Sequence, residues 1–378
     1  MLRKFISFTS YVHILAVLSV VLLCSCVYRG TEPVSGNIIT MHHSSLLSIV
    51  ECDGYTAVDI KNPWRQGIVQ RYLLVPRDSA LPREIPSGRV LRTPLERSIV
   101  FSGVHTALLE ELGVQDVISG VCDAKYIYSP FVKEGLSSCK VVDCGSSLDV
   151  NIEKVIEVSP DAILVLPYEN GGYGKLENLP FPLVECADYM ESSPLGCAEW
   201  MRFYGRLFNK GKESDSIFAV VCREYESLRS LAGSAADRPS LMCELKGSSA
   251  WYVPGGNSTM GRMYDDAGAD YIFSDYKVSG SVPLSLEVVL EKAAGADIWL
   301  LKYNSPTDWT VASLLKDFSG YMNFKPMREG RVYACNTDRN NLFESTSFHP
   351  ERLLKELVVL FHPELGIDYE ARYYEKMR

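Results

Sequence analysis

Residues 194–236, PLGCAEWMRFYGRLFNKGKESDSIFAVVCREYESLRSLAGSAA, decide how the rest of the chain is arranged. Trp200, Phe203, Tyr204, Leu207 and Phe208 recur at the three-and-four spacing of a helix that buries one stripe. Asn209, Lys210 and Gly211 supply a stop. A second helical pattern follows, with Ile217, Val221, Tyr225, Leu228 and Ala232 on one face and Glu213, Asp215, Arg223, Glu226 and Arg229 elsewhere. Roughly 21 residues, 213 to 233, span about 32 Å at about 1.5 Å per residue, the width of a domain. No glycine or proline interrupts 212–232, so the element is stiff and predicts a small opening and closing motion, with 209–211 as the place for it.

Working outward, both flanks alternate strand and helix. On the N-terminal side come SIVFSG (98–103), a helical pattern from His105 to a stop at Gly113, VISGV (117–121), VVDCG (141–145), NIEKVIEVS (151–159), DAILVLPY (161–168) and LVECAD (183–188). On the C-terminal side come SLMCEL (240–245), a loop WYVPGGNS (251–258), a helix TMGRMYDDAG (259–268), YIFS (271–274), SLEVVLEKAAG (285–295), DIWLLKY (297–303), VYACN (332–336) and PERLLKELVVLFH (350–362). Apolar strands between amphipathic helices imply mainly parallel sheets with helices on their faces. The fold predicted is α/β, two lobes joined by a long helix. Ahead of them, LLSIVEC, Asp53-Gly54 and YTAVDI, then QRYLLVP, read as a small β-meander, since Asp-Gly between two β-rich runs is a strong hairpin signal.

The 378 residues, 47% apolar and 22% charged, suit two ordinary domains with an extension. A net charge of −9 without acidic runs argues against a nucleic-acid footprint. Arg3 and Lys4 precede an apolar run at 11–23, the build of an export signal too short for a trusted transmembrane span. Its ending, Leu23-Cys24-Ser25-Cys26, resembles the lipobox of bacterial lipoproteins and designates Cys26 as the lipid carrier, since bulky Leu23 sits before Cys24. A plain signal peptide or uncleaved anchor is the alternative. The expected divisions are a lipoprotein signal at 1–26, a tether and β-rich extension at 27–94, an N-terminal α/β lobe at 95–193, connecting helices at 194–236 and a C-terminal α/β lobe at 237–378.

Of eleven cysteines, removing Cys24 and Cys26 leaves nine, so at least one is unpaired in a monomer. With no C-x-x-C and six scattered histidines, neither a structural metal nor a disulfide framework is expected, nor any cofactor. The sequence also holds no G-x-S-x-G elbow and no H-E-x-x-H, so it reads as a binder rather than an enzyme.

Ligands of open α/β sheets sit beyond the carboxyl ends of the strands. The candidates there are Ser102, His105, Tyr126, Tyr168 and Tyr173 in the first lobe, and Trp251, Tyr252, Tyr303, Trp309 and Arg339 in the second. Arg339 is the candidate for an anionic ligand group, because guanidinium matches carboxylate and phosphate geometry. Each has a plainer role available: aromatics at strand ends cap cores, His105 at a helix start caps or packs, and Arg339 suits a surface. The pairs Gly171-Gly172 and Gly255-Gly256 match no phosphate-binding fingerprint and read as turns.

An echo links the flanks. Ile152-Glu153-Lys154-Val155-Ile156-Glu157 before one strand matches Leu286-Glu287-Val288-Val289-Leu290-Glu291 before another, each with its first Glu in a first helical turn, where the helix dipole favours it. Over roughly residues 95 to 362, ERSIVFSGVHTALLEELGVQDVISGV, VNIEKVIEVSPDAILV and SLEVVLEKAAGADIWLL resemble, in that order, the periplasmic binding proteins of ABC importers for iron chelates and vitamin B12. The resemblance implies two Rossmann-like lobes on a rigid backbone helix with ligand between them. It further implies that Glu153 and Glu287 meet arginines of a permease dimer that works with an ATPase. Vitamin B12 binders of this type carry a Trp six residues before each of those glutamates, where this chain has Ser147 and Ser281, so the resemblance points to an iron complex of siderophore type, with cobalamin and haem as alternatives. The expected protein is exported, anchored to the membrane through lipid, and facing the periplasm. An exported sensor or scaffold without a transport role is the competing function.

Overall fold

The computed structural model describes residues 34–169 and 171–378; the signal segment, the lipidation candidate Cys26 and the start of the tether lie outside the described residues. No helix among the described residues is long and apolar enough to cross a membrane.

The extension is a five-stranded sheet in sequence order: β1 (Asn37–Ile39), β2 (Leu47–Cys52), β3 (Tyr55–Lys61), β4 (Ile68–Pro76) and β5 (Arg89–Thr93). The first four pair antiparallel and β5 joins β4 in parallel. Asp53-Gly54 closes the β2–β3 hairpin, Cys52 opposite Tyr55, and Gly54 takes the left-handed φ of 78° that this turn requires.

The first lobe is a parallel sheet of β6 (Ser98–Val100), β7 (Ile118–Val121), β8 (Val142–Asp143), β11 (Ala162–Val165) and β12 (Leu183–Glu185) in the order 12-11-6-7-8; β9 (Gly145–Ser146) and β10 (Asp149–Val150) form a separate small hairpin. Every residue of β6 and β11 is buried, as expected of strands with helices on both faces.

The second lobe repeats the plan with β15 (Asp270–Tyr271), β13 (Ser240–Cys243), β17 (Ile298–Tyr303), β18 (Val332–Asn336) and the antiparallel edge strand β19 (Glu375–Lys376). One difference from the sequence reading is WYVPGGNS: Trp251–Pro254 is not loop but strand β14, paired antiparallel with β16 (Ser281–Leu284). Trp251 and Val253 point inward and Tyr252 outward, a period of two too short to register beside the glycines. Those glycines serve close packing: a Cβ on Gly256 would lie 2.1 Å from the Ser274 carbonyl oxygen, and one on Gly255 2.3 Å from that of Val278.

Between the lobes run the helices Pro194–Glu199, Met201–Leu207 and Gly211–Ala232. The last is 22 residues long and buries Phe218, Val221, Tyr225 and Ala232, a stripe at helical spacing. The break before it is made by Asn209, at φ 57°, rather than by Gly211, which already belongs to the next helix.

Two carboxylates tie the extension to these helices. Glu199, fully buried, accepts hydrogen bonds from the backbone N–H groups of His42, His43 and Ser44 at 3.0, 2.8 and 2.8 Å. Glu191 accepts those of Ser45 and Leu46, both Ser hydroxyls of 44 and 45, and the Trp200 indole N–H at 3.0 Å. At the other end of the extension the buried Tyr72 hydroxyl donates to the Leu183 carbonyl at 3.0 Å and accepts from the Glu185 N–H at 2.8 Å, fastening β4 to the edge strand β12.

Candidate functional site

A cavity of about 1080 Å³ opens between the two lobes, beyond the carboxyl ends of β6, β11 and β12. From the first lobe it is lined by Phe101 and Ser102, which follow β6, by Leu166 and Tyr168, which follow β11, and by Asp188 and Tyr189, which follow β12. Met260 and Met263 on the helix Thr259–Asp266, and Leu342, Phe343, Thr346 and Ser347 around the helix Leu342–Thr346, face it from the second.

Of the residues named from sequence, Ser102, His105, Tyr168 and Tyr173 come together on this cavity. Ser102 is also the N-cap of the helix Gly103–Glu111, its hydroxyl accepting from the Val104 N–H. Its neighbour His105 is 2% exposed, and its Nε2 lies 2.9 Å from Asp188 Oδ1, which also accepts the Tyr204 hydroxyl at 2.5 Å. Burial, with Asp188 alongside, pushes the Tyr204 phenol well above its ordinary range. Tyr173 donates to Glu185, and burial raises both groups, so this pair holds its proton.

The other candidates stand elsewhere. Trp251 is a core side chain, 1% exposed, packed against Trp299, Tyr321 and Phe324, with its indole N–H donating to the Cys243 carbonyl. Tyr126 and Tyr252 are exposed away from the cavity. Tyr303 and Trp309 stack on each other, centroids 4.6 Å apart, off the cavity wall. Arg339 is exposed and paired with Asp308 at 2.6 Å. Glu153 and Glu287 are both exposed in first helical turns, yet Glu153 also sits on the rim of the cavity and Glu287 does not.

Sequence reasoning missed Leu148, Tyr189, Met260 and Phe343. Leu148, at the tip of the β9–β10 hairpin, is 88% exposed, and Tyr189 and Phe343 are about half exposed. An apolar residue at the tip of a serine- and aspartate-rich turn is the signal that was there to read.

The lobes meet beside the cavity. The Glu344 carboxylate accepts the Tyr128 N–H at 2.8 Å, and the Tyr128 hydroxyl donates to the Thr337 carbonyl at 2.8 Å. Gly103 lets this happen, since a Cβ there would fall 2.1 Å from Glu344 Oε1. His349, between the helices Leu342–Thr346 and Pro350–Phe361, bridges Glu111 of the first lobe at 2.7 Å and Glu351 at 2.9 Å. Burial works against its charge, but the hydrogen bonds to the two carboxylates outweigh this and raise it from 6.5 to about 9. A raised imidazolium contributes stability that is complete below about 6.5 and lost as pH climbs through 9. Wild-type protein should therefore lose at most about 3 kcal/mol, and a few degrees of melting temperature, between those values. A His349→Gln variant should lack that slope; an unchanged pH profile in the variant would remove the bridge from the account.

A family model described as periplasmic binding protein matches residues 99–338. An uncharacterized lipoprotein of Methanocaldococcus jannaschii is 28% identical over 311 residues, 78% of this chain and 73% of the relative. Among solved structures, a possible iron-binding (periplasmic solute-binding) protein from Staphylococcus epidermidis superimposes with TM-score 0.57 at 18% identity, over 71% of this chain and 99% of that one. A periplasmic heme binding protein from Pseudomonas aeruginosa does so with TM-score 0.58 at 15% identity, over 75% and 98%. The two-lobed α/β fold is thus common to these structures, and the matched span runs from β6 through the helices between the lobes to just past β18 of the second lobe. The chain belongs to the periplasmic binding protein family, a family of binding proteins and not of enzymes.

Proposed function

We propose that this protein is the lipid-anchored, exported binding component of an ABC importer, capturing a bulky metal complex, an iron chelate of siderophore type or a related macrocycle, between its lobes. The observation that carries the reading is the cavity itself. Its volume of about 1080 Å³ exceeds what an amino acid or simple sugar needs and reaches the upper end of small-molecule sites. Half-exposed Tyr168, Tyr189 and Phe343 face it, large apolar surface left for a ligand to cover. The iron-binding and heme-binding names of the structural neighbours support the class, and the lipoprotein name of the relative supports anchoring at Cys26.

Glu153 and Glu287 are the proposed docking charges for the permease, one on each lobe. Haem and cobalamin are the other ligands of the same class, and Ser147 on the cavity wall, where the family's vitamin B12 binders have Trp, counts against cobalamin. Titration of the purified protein with haem, cyanocobalamin and a ferric tris-hydroxamate, followed by intrinsic fluorescence, should give saturable one-to-one binding for at least one of them in the micromolar range or tighter. Flat titrations for all three would overturn the proposal in favour of a sensor or scaffold.

A further inference from the structure

The charged groups around the cavity have a definite sign. Asp149 and Glu153, on and beside the β9–β10 hairpin, are exposed at its rim, and Asp188 lies at its floor with His105 and Tyr204. Two cations answer them. Lys302 is already paired with Glu244, an ion pair with both side chains 20% exposed. Lys175 is exposed and forms no ion pair among the described residues, and no arginine lines the cavity. With Asp188 likewise committed to His105 and Tyr204, the one cation left for a ligand, Lys175, is outnumbered by the two rim carboxylates Asp149 and Glu153. The remaining wall is mostly apolar or aromatic, with Phe101, Leu148, Tyr168, Tyr189, Met260 and Phe343 as its broad surfaces, and its other polar side chains, such as Ser102, Ser147, Asn151 and Thr259, carry no charge.

We infer that this cleft selects an uncharged or cationic metal complex and rejects polyanionic ones. The inference deepens the proposed function and rests on the cavity being the ligand site. A triply anionic complex entering here would leave its hydration shell for a wall that offers one uncommitted ammonium group, and would approach two rim carboxylates of its own sign. Like charges brought together at a binding surface are the standard means of excluding a wrong partner. A neutral complex meets no such barrier and gains from covering the apolar rim. Within the iron chelates this separates hydroxamates, whose ferric complexes are neutral, from tris-catecholates, whose ferric complexes carry three negative charges. Haem, with two propionates, falls between them.

The test uses the full-length protein and four probes: a neutral ferric tris-hydroxamate, a triply anionic ferric tris-catecholate, haem and cyanocobalamin, each titrated at low and at high salt. The expected result is that an uncharged probe binds on the order of a hundredfold more tightly than the tris-catecholate at low salt, the gap narrowing as salt screens the rim. The double variant Asp149→Asn, Glu153→Gln, which removes two exposed charges at the rim, should narrow the ratio of affinities between the uncharged probe and the tris-catecholate about tenfold at low salt, with little effect on that ratio at high salt. Equal or tighter tris-catecholate binding in wild type overturns the inference while leaving the cavity as the ligand site. Binding of none of the four overturns the reading of the cavity, and the inference with it. A wild-type preference that the double variant does not alter overturns the rim carboxylates as its cause.

Discussion

Replacing Glu191 and Glu199 together by alanine is expected to release the N-terminal sheet from the lobes. These two side chains take up the five backbone N–H groups of residues 42 to 46, which have no strand partner there. Both carboxylates are buried, Glu199 completely, so truncation leaves several donors desolvated and unpaired, at about 1–3 kcal/mol each. Allowing for water entering the space, loss of even one carboxylate should cost about 3 kcal/mol or more, among the larger effects of single substitutions. The first sign should be fast amide exchange and proteolysis across 35–76, with the first lobe's parallel sheet still protected, since one of its faces packs into a separate apolar cluster of Ile99, Phe101, Cys122, Val155, Ile163 and Val165. Uniform protection of the extension in the double variant would show that Tyr72 and the apolar face of β2–β4 hold it without the carboxylates.

Charge reversal at Glu287 is expected to cut transport by more than tenfold while leaving ligand affinity unchanged. Glu287 lies in the first turn of Leu286–Ala293, exposed and away from the cavity, and hydrogen bonds from its own backbone and Ser285 favour its charged form. A lysine there should still fold, because the side chain covers nothing, and should still bind ligand, because nothing in the cavity changes. In the proposed docking, what it alters is the sign of a charge offered to the permease, which would act on encounter and register. Glu153→Lys is a less selective test: that residue also rims the cavity, so ligand affinity is expected to move with it. Unimpaired transport by Glu287→Lys, measured in vesicles carrying the permease and its ATPase, would remove the docking role from this position.

What could be read from the sequence was what is local. The helix Gly211–Ala232 announces itself through a stripe at one spacing, and the parallel strands through short apolar runs between amphipathic ones. The Asp53-Gly54 turn is likewise a two-residue signal. The cavity is not local. Its walls join residues near 102, 148, 168, 189, 260 and 343, brought together only when loops, a hairpin tip and helices of both lobes meet at one cleft. Looking beyond strand ends found Ser102 and Tyr168, whose strands β6 and β11 point at the cleft. The same rule cannot tell Tyr168, half exposed, from Trp251, buried beneath three other aromatic rings, since both are aromatic residues at a strand. Nor does it see that Arg339 is paired with Asp308, 31 residues earlier in the chain. Glu191 and Glu199 read as ordinary charges near and on a helix; only the folded chain shows that they hold a loop some 150 residues upstream.

The claim on which the rest depends is that ligand occupies the space between the lobes. Hydrogen exchange with and without a saturating complex, using whichever of haem, cyanocobalamin and ferric tris-hydroxamate binds most tightly, tests it directly. Protection should rise together at 101–105, 147–153, 166–168, 172–176, 188–190, 259–263 and 342–347, segments from both lobes that line this cavity. Protection confined to one lobe, or appearing on the N-terminal sheet while these segments stay unchanged, would contradict the account.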